Sequence, residues 1–326
     1  MRVGVVGAGA WGTALALAAC RAGHGALLWA HEAETVAALR TERESRYLTG
    51  VPLPTAIEAT GDLRDIGGTD LVLLAAPAQH LRAVCRRAAP SWRPGVPAVI
   101  CAKGIEEGTE ALLGDVVASA LPGVPWLVLS GPTFAREVAQ DLPAAATVAA
   151  HDAALAADIA VALGSRRFRL YSSADPVGVQ VGGAVKNVIA IAAGAVAGRR
   201  LGDNARAALI TRGLAEMGRL AAALGAEPRT LMGLAGLGDL TLTCSAMQSR
   251  NFSLGAALGE GRRLDAILGE RRSVAEGVWT ARSVAALARR IGVDMPICFA
   301  VEQVLHRDVA LEDTIDALLS RPFVAE

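Results

Sequence analysis

Lys186 is the one charged residue in GGAVKNVIAIAAGAVAG, residues 182 to 198, a stretch otherwise built from Gly, Ala, Val, Ile and a single Asn. Of the 32 basic residues in the chain, 30 are Arg; only Lys103 and Lys186 are Lys. An ammonium on a helix that is apolar nearly all round is costly without a partner or a path to water. A guanidinium stays protonated, whereas an ammonium can give up a proton and regain it. A chain that drifts toward Arg should therefore keep Lys where a compact, titratable cation is needed. That is the chemistry of a general acid and base.

Other residues suggest a ligand for such a group. VVGAGAWG places Gly7, Gly9 and Gly12 in G-x-G-x-x-G spacing, directly after an apolar strand and at the opening of a helix. Glycines there allow a tight turn and bring a dinucleotide pyrophosphate close to free helix N–H groups. The spacing alone is a weak signal, and a turn that serves packing only is the alternative; its place between the first strand and a helix, with a second strand following, is what makes it specific. LLWAHEAE ends the second strand with His31 and then Glu32. An acidic residue at that tip grips a ribose 2′-hydroxyl and repels a 2′-phosphate. His31 removes the repulsion, so NADP(H) is admissible and NAD(H) remains open; Glu32 reads as a first-turn helix carboxylate.

Lys103 follows the strand PAVICA, and LSGPTFARE places Gly131 and Thr133 at the end of another strand. Ligands of open α/β sheets bind at such carboxyl ends. GLAGLGDLTLTCSAMQSRN sets Asp239 in what reads as a Gly-rich loop, then Ser249, Arg250 and Asn251 at a helix start. Ser-Arg-Asn is either a plain N-cap or, with its charged fork, amide, hydroxyl and helix N–H groups, equipment for holding a phosphate. The His residues show no metal spacing, and no Ser-His-Asp or Cys-His arrangement stands out, so no metal is expected.

The elements that must position these residues fall into two groups. Up to about residue 172 short apolar runs (RVGVV, ALLWA, DLVLLAAP, PAVICAK, WLVLSGP) alternate with amphipathic helices, and AAATVAA and RFRLYSS extend the same sheet. Uncharged, non-alternating runs suit strands covered on both faces. The expected fold is an α/β, doubly wound, mostly parallel sheet over residues 1–174. After residue 174 strand signals stop. Asp175 caps a helix that opens with Pro176, and 175–326 reads as an all-α domain with helices at 204–224, near 228, and at 251–258, 281–291 and 297–305.

Composition narrows the function classes. With 326 residues, 32 acidic and 32 basic groups and a formal net charge of +0, the chain lacks the basic excess of a nucleic-acid binder. Cys20, Cys85, Cys101, Cys244 and Cys298 have no paired spacing and read as reduced thiols in the cytoplasm. The first strand begins two residues from Met1, so no signal peptide is expected. No run of about 18 uncharged apolar residues is present, so no membrane span is expected.

Taken together, GAGAWGTALA, AKGIE, LSGPTFARE, GGAVKNVIAIAAG, NARAALITRGLAEM, GLAGLGDL, QSRN and VAEGVWTA resemble the bacterial NAD(P)-dependent glycerol-3-phosphate dehydrogenase family, in order and spacing, from residue 3 to about 305. The resemblance implies a Rossmann domain and a helical domain with the active site between them, and a homodimer. It implies hydride transfer between a nicotinamide and dihydroxyacetone phosphate or sn-glycerol 3-phosphate, for phospholipid synthesis. Carried over motif by motif, Lys186 is the catalytic acid/base. Lys103, Gly131, Thr133, Asp239, Ser249, Arg250 and Asn251 contact substrate. Ala10, Trp11, His31, Lys103, Ala135, Arg250, Val274 and Glu276 contact the cofactor, and Asp239 would orient Lys186. Ala10 stands where many members have Ser, Phe252 where Arg is common and Ala275 where Val is usual; none of these removes a chemical role. Two other readings compete: a related two-domain dehydrogenase for hydroxyacids or sugar acids, which should hold a carboxylate, and a regulator that senses NAD(P) without turnover and needs no buried Lys.

Overall fold

The computed structural model describes residues 1–270 and 275–322. The strands are β1 (Arg2–Val6), β2 (Gly25–Trp29), β3 (Glu44–Ser45), β4 (Leu48–Pro52), β5 (Ile57–Thr60), β6 (Leu71–Leu74), β7 (Ala98–Ile100), β8 (Trp126–Ser130), β9 (Ala144–Ala149) and β10 (Phe168–Ser173). The helices are α1 (Ala10–Arg21), α2 (Ala33–Thr41), α3 (Leu81–Ala88), α4 (Leu113–Ala120), α5 (Ala135–Ala139), α6 (Ala153–Leu163), α7 (Pro176–Gly198), α8 (Asp203–Ala223), α9 (Asp239–Thr243), α10 (Arg250–Gly259), α11 (Leu264–Gly269), α12 (Glu276–Arg290), α13 (Pro296–His306) and α14 (Leu311–Leu319). They form two compact units. The first comprises Met1–Lys103 and Ala111–Gln180, the second Gly104–Glu110 and Val181–Glu326.

The first unit is built on an eight-stranded sheet in the order β10-β9-β8-β7-β6-β1-β2-β5. Every pairing is parallel except β8 with β9. Val5 of β1 sits between Leu28 of β2 and Leu73 of β6, all three buried, as uncharged runs covered on both faces require. The chain leaves β1 toward β2 on one side and returns as β6 on the other. The carboxyl ends of β1 and β6 therefore form the topological switch point, where open α/β sheets bind ligands. The fold class read from the sequence is observed. The edge strand β5 and the small β3–β4 hairpin are additions that no strong periodicity announced.

Apart from 104–110, the regular elements among the second unit's described residues are all helices, joined by short turns. Asp175 caps α7 as expected, its carboxylate accepting from Gly178 N–H at 2.8 Å. By length and composition α7 is apolar enough to cross a membrane, although Lys186 interrupts it, so no uncharged run of about 18 residues is present in it; 83% of its apolar window is buried inside the protein. Its many small residues have a packing cause. A Cβ on Gly194 would lie 2.0 Å from the Phe252 carbonyl oxygen, and one on Gly255 would lie 1.9 Å from that of Ile191. Helices α7 and α10 thus cross nearly backbone to backbone, and side chains at these glycines would drive them apart.

Farther along, Glu302 of α13 is 3% exposed and accepts from Arg289 (2.9 Å) and Arg307 (2.8 Å). Burial by itself raises the Glu302 carboxyl, but the Arg307 and Arg289 hydrogen bonds outweigh it and hold the group below its ordinary 4.5. A depressed acid contributes stability that is present above its unfolded pKa and is lost as pH falls through the folded one. Glu302→Gln should therefore lower the urea midpoint at pH 7, by about 1–3 kcal/mol of stability. The gap should close as the medium is acidified below the folded pKa. A gap that stayed constant with pH would assign the loss to packing.

Candidate active site

In the first unit the β1–α1 turn has the shape that a dinucleotide phosphate requires. Gly7 adopts φ +113°, and a Cβ there would press on Ala75 and Ala76, just past β6. A Cβ on Gly12 would lie 1.8 Å from the Gly7 carbonyl oxygen, so this glycine lets α1 start tight against the turn. Gly9 is different: nothing lies within 4 Å of where its Cβ would be. The open space falls at the N-cap of α1, where no side chain caps the helix N–H groups. A cradle that a side chain would fill, beside uncapped helix donors, fits a pyrophosphate.

Ala10 and Trp11 open α1, both half-buried, and the Trp11 indole N–H donates to the Cys101 carbonyl at 3.2 Å. That bond ties the turn to the end of β7, two residues before Lys103. Lys103 Nζ donates to the Gly131 carbonyl at 3.2 Å, and Thr133 Oγ1 donates to the same oxygen at 3.1 Å. Three residues drawn from two distant motifs thus meet on one carbonyl. Gly131 is dictated by packing, since its Cβ would lie 2.7 Å from Ala146 Cα. Ala135 is the first residue of α5. His31 is exposed just past β2, its ring 6.1 Å from that of Trp29, and Glu32 is the N-cap residue of α2.

The second unit holds the other lysine. Lys186 is 6% exposed and Asp239 1%, and the ammonium donates to the Asp239 carboxylate and to Thr243 Oγ1 at 2.8 Å. The buried charge therefore has the partner that its burial demands. Asp239 is not in a loop: a π turn over Leu234–Gly238 leads into α9, and Asp239 is that helix's first residue. The glycines that suggested a loop serve close approach instead. A Cβ on Gly182 would lie 2.4 Å from the Ala235 carbonyl oxygen. Lys186 and Asp239 each stand four residues beyond that contact, about one helical turn on, which brings them face to face. Thr243 was not singled out from sequence, although its place one turn after Asp239 puts it on the same helix face.

Ser249 is the N-cap of α10, its Oγ accepting from Phe252 N–H at 3.2 Å. The plain-cap reading therefore describes its side chain. Arg250, the first residue of α10, is exposed. Asn251 is buried; its amide donates to Asn187 Oδ1 at 2.9 Å and its carbonyl accepts from Gly277 N–H at 3.0 Å. This bridge joins the residue after Lys186 to the residue after Arg250, and both to the start of α12, where Glu276 lies. Asn187 is a second participant that sequence reading missed. Helix α12 begins at Glu276, five residues before the expected start. Gly277, a weak helix former, is needed there because its Cβ would lie 2.7 Å from both the Asn187 carbonyl oxygen and Asn251 Oδ1. Val274 lies outside the described residues.

The neighbouring thiols are inert at neutral pH. Burial pushes Cys244 up to about 12, with Lys186 lowering and Asp239 raising it, and burial likewise raises Cys101. Neither is a thiolate nucleophile. Among the described residues no group of three or more His, Cys, Asp or Glu could hold a metal ion.

Residues 2–156 match the family described as NAD-dependent glycerol-3-phosphate dehydrogenase N-terminus, and residues 175–316 match its C-terminus. A Rhodospirillum rubrum protein named glycerol-3-phosphate dehydrogenase (NAD(P)+) is 55% identical over 326 residues, covering 99% of this chain and 93% of its own. One of the same name from Caulobacter vibrioides is 54% identical, covering 100% and 98%. The crystal structure of a glycerol-3-phosphate dehydrogenase from Coxiella burnetii superposes with a TM-score of 0.94 at 40% identity, covering 98% of this chain and 99% of that one.

Proposed function

The chain belongs to the NAD-dependent glycerol-3-phosphate dehydrogenase family, and from that premise we propose that it interconverts dihydroxyacetone phosphate and sn-glycerol 3-phosphate with NAD(P)H, supplying glycerophospholipid synthesis. The observation that carries this reading is the buried Lys186, held by Asp239 and Thr243. When bound, the nicotinamide supplies or accepts the hydride. Lys186 gives a proton to the carbonyl oxygen as it becomes an alkoxide, and takes it back in the oxidative direction. Asp239 and Thr243 keep the ammonium oriented. Arg250 holds the phosphate, beside the N-terminus of α10, with Ser249 and Asn251 shaping that helix start. Lys103, Gly131 and Thr133 hold the rest of the substrate, so that remote binding energy orients the carbonyl.

Gly7, Gly9, Ala10, Trp11 and Gly12 take the pyrophosphate side of the cofactor, His31 its adenosine ribose, and Lys103, Ala135, Arg250, Val274 and Glu276 contribute further contacts. Residues 1–174 make up the NAD(P)-binding domain and 175–326 the helical substrate and catalytic domain, although 104–110 pack with the second compact unit and Pro176–Gln180 with the first. The five free cysteines suit a reducing cytoplasm, and the assembly is a homodimer by family resemblance. Following nicotinamide absorbance with dihydroxyacetone phosphate tests the activity: oxidation of NADPH, NADH or both is expected, and no oxidation with either refutes it. His31→Asp should raise the KM for NADPH at least about tenfold more than that for NADH, through repulsion of the 2′-phosphate. Equal effects on both would move His31 away from the ribose.

A further inference from the structure

Residues 104–110 follow Lys103 by one peptide bond, yet they pack with the second unit. Ile105 and Glu106 are buried there. Glu107 accepts from Arg282 at 2.6 Å and Glu110 from Arg290 at 3.0 Å. Both arginines lie on α12, a rod about 22 Å long at 1.5 Å per residue. The start of that rod is fixed through Gly277 and Asn251 to Asn187, the neighbour of Lys186.

The other side of the Arg282 guanidinium faces His306 Nδ1 at 3.1 Å, and His306 Nε2 faces the Val278 carbonyl at 2.8 Å. A guanidinium can only donate and a carbonyl can only accept. The ring that satisfies both is the neutral tautomer with its proton on Nε2. Arg282 is thus held from behind by α13 while it grips Glu107. The pair is half-open to solvent, with side-chain exposures of 50% and 30%, so it adds little to folding. A contact so weakly stabilising, yet braced on both sides, matters for where it puts the chain.

We infer that Arg282 is a positioning residue for Lys103. Through Glu107, and with the Glu110–Arg290 pair beside it, it fixes the segment that leaves Lys103 to the helix that is also tied to the neighbour of Lys186. Lys103 touches substrate in the proposed activity, and the inference rests on that reading.

The test uses Arg282→Gln and Glu107→Gln, singly and together, in the full chain and again in a Lys103→Met background. Each single variant should raise the KM for dihydroxyacetone phosphate about tenfold, as loss of a substrate-holding contact does, with a much smaller change in kcat and an unchanged Tm. The double variant should be no worse than either single one, and Arg282→Lys should recover most of the loss. In the Lys103→Met background neither substitution should change KM further. Unchanged KM in the single variants, or losses that multiply with that of Lys103→Met, would overturn the inference. So would a Lys103→Met protein with unaltered kinetics, whereas turnover by the unsubstituted chain checks the activity separately.

Discussion

Lys186→Arg and Lys186→Met are expected to fold and to bind NADPH, and to lose at least about 100-fold in kcat, the low end for removal of a general acid–base group. The two substitutions fail for different reasons. Arginine keeps the charge opposite Asp239 but, with a pKa above about 12, does not return the proton in the oxidative direction. It also brings a planar group into a site where α7 approaches Ala235 so closely that a Cβ on Gly182 would lie 2.4 Å from that residue's carbonyl oxygen. Methionine fits the space and leaves the Asp239 carboxylate, 1% exposed, with its cation gone. Breaking a buried pair costs about 3–5 kcal/mol, so the Met variant should melt lower. Parallel measurements of Tm, NADPH fluorescence and kcat in both directions separate lost chemistry from lost folding. A Lys186→Arg enzyme with near-normal kcat both ways would reduce Lys186 to a positioning charge.

Arg250→Ala should cripple reduction of dihydroxyacetone phosphate while hardly changing the poor rate on unphosphorylated dihydroxyacetone. Two charge-assisted bonds from one guanidinium amount to about 3–6 kcal/mol, or about two to four orders of magnitude in kcat/KM. Arg250 is exposed at the first position of α10, so its removal should alter stability by no more than about 0.5 kcal/mol. The cap that starts the helix belongs to Ser249 and stays in place. Equal proportional losses on the two substrates would show that Arg250 serves the fold or the cofactor instead of the phosphate.

The parts of this protein legible in its sequence are those whose cause is local. The glycine spacing after β1 could be read because turn geometry needs those residues whatever surrounds them, and the uncharged strands could be read because both faces of the sheet are covered. Lys186 stood out through composition, as one of two lysines among 32 basic residues. What was hidden depends on partners far along the chain. The Gly-rich stretch before Asp239 looked like a loop because glycine for flexibility and glycine for close approach are the same letter. Thr243 and Asn187 gave no signal of their own, since their meaning lies in Lys186 and Asn251, 57 and 64 residues away. Nor does anything local mark residues 104–110 as partners of a helix whose Arg282 is 175 residues beyond Glu107.

The close crossing of α7 and α10 also bears on how the chain is made. Helix α7 is complete at Gly198, but the helix that covers its small-residue face begins only at Arg250. A ribosome adding about 5–20 residues per second needs roughly three to ten seconds to cover that distance. During that interval the nascent chain carries a long apolar helix whose final shelter has not yet been synthesised. By length and composition alone it then resembles a membrane-crossing segment, with the ammonium of Lys186 as its one charge.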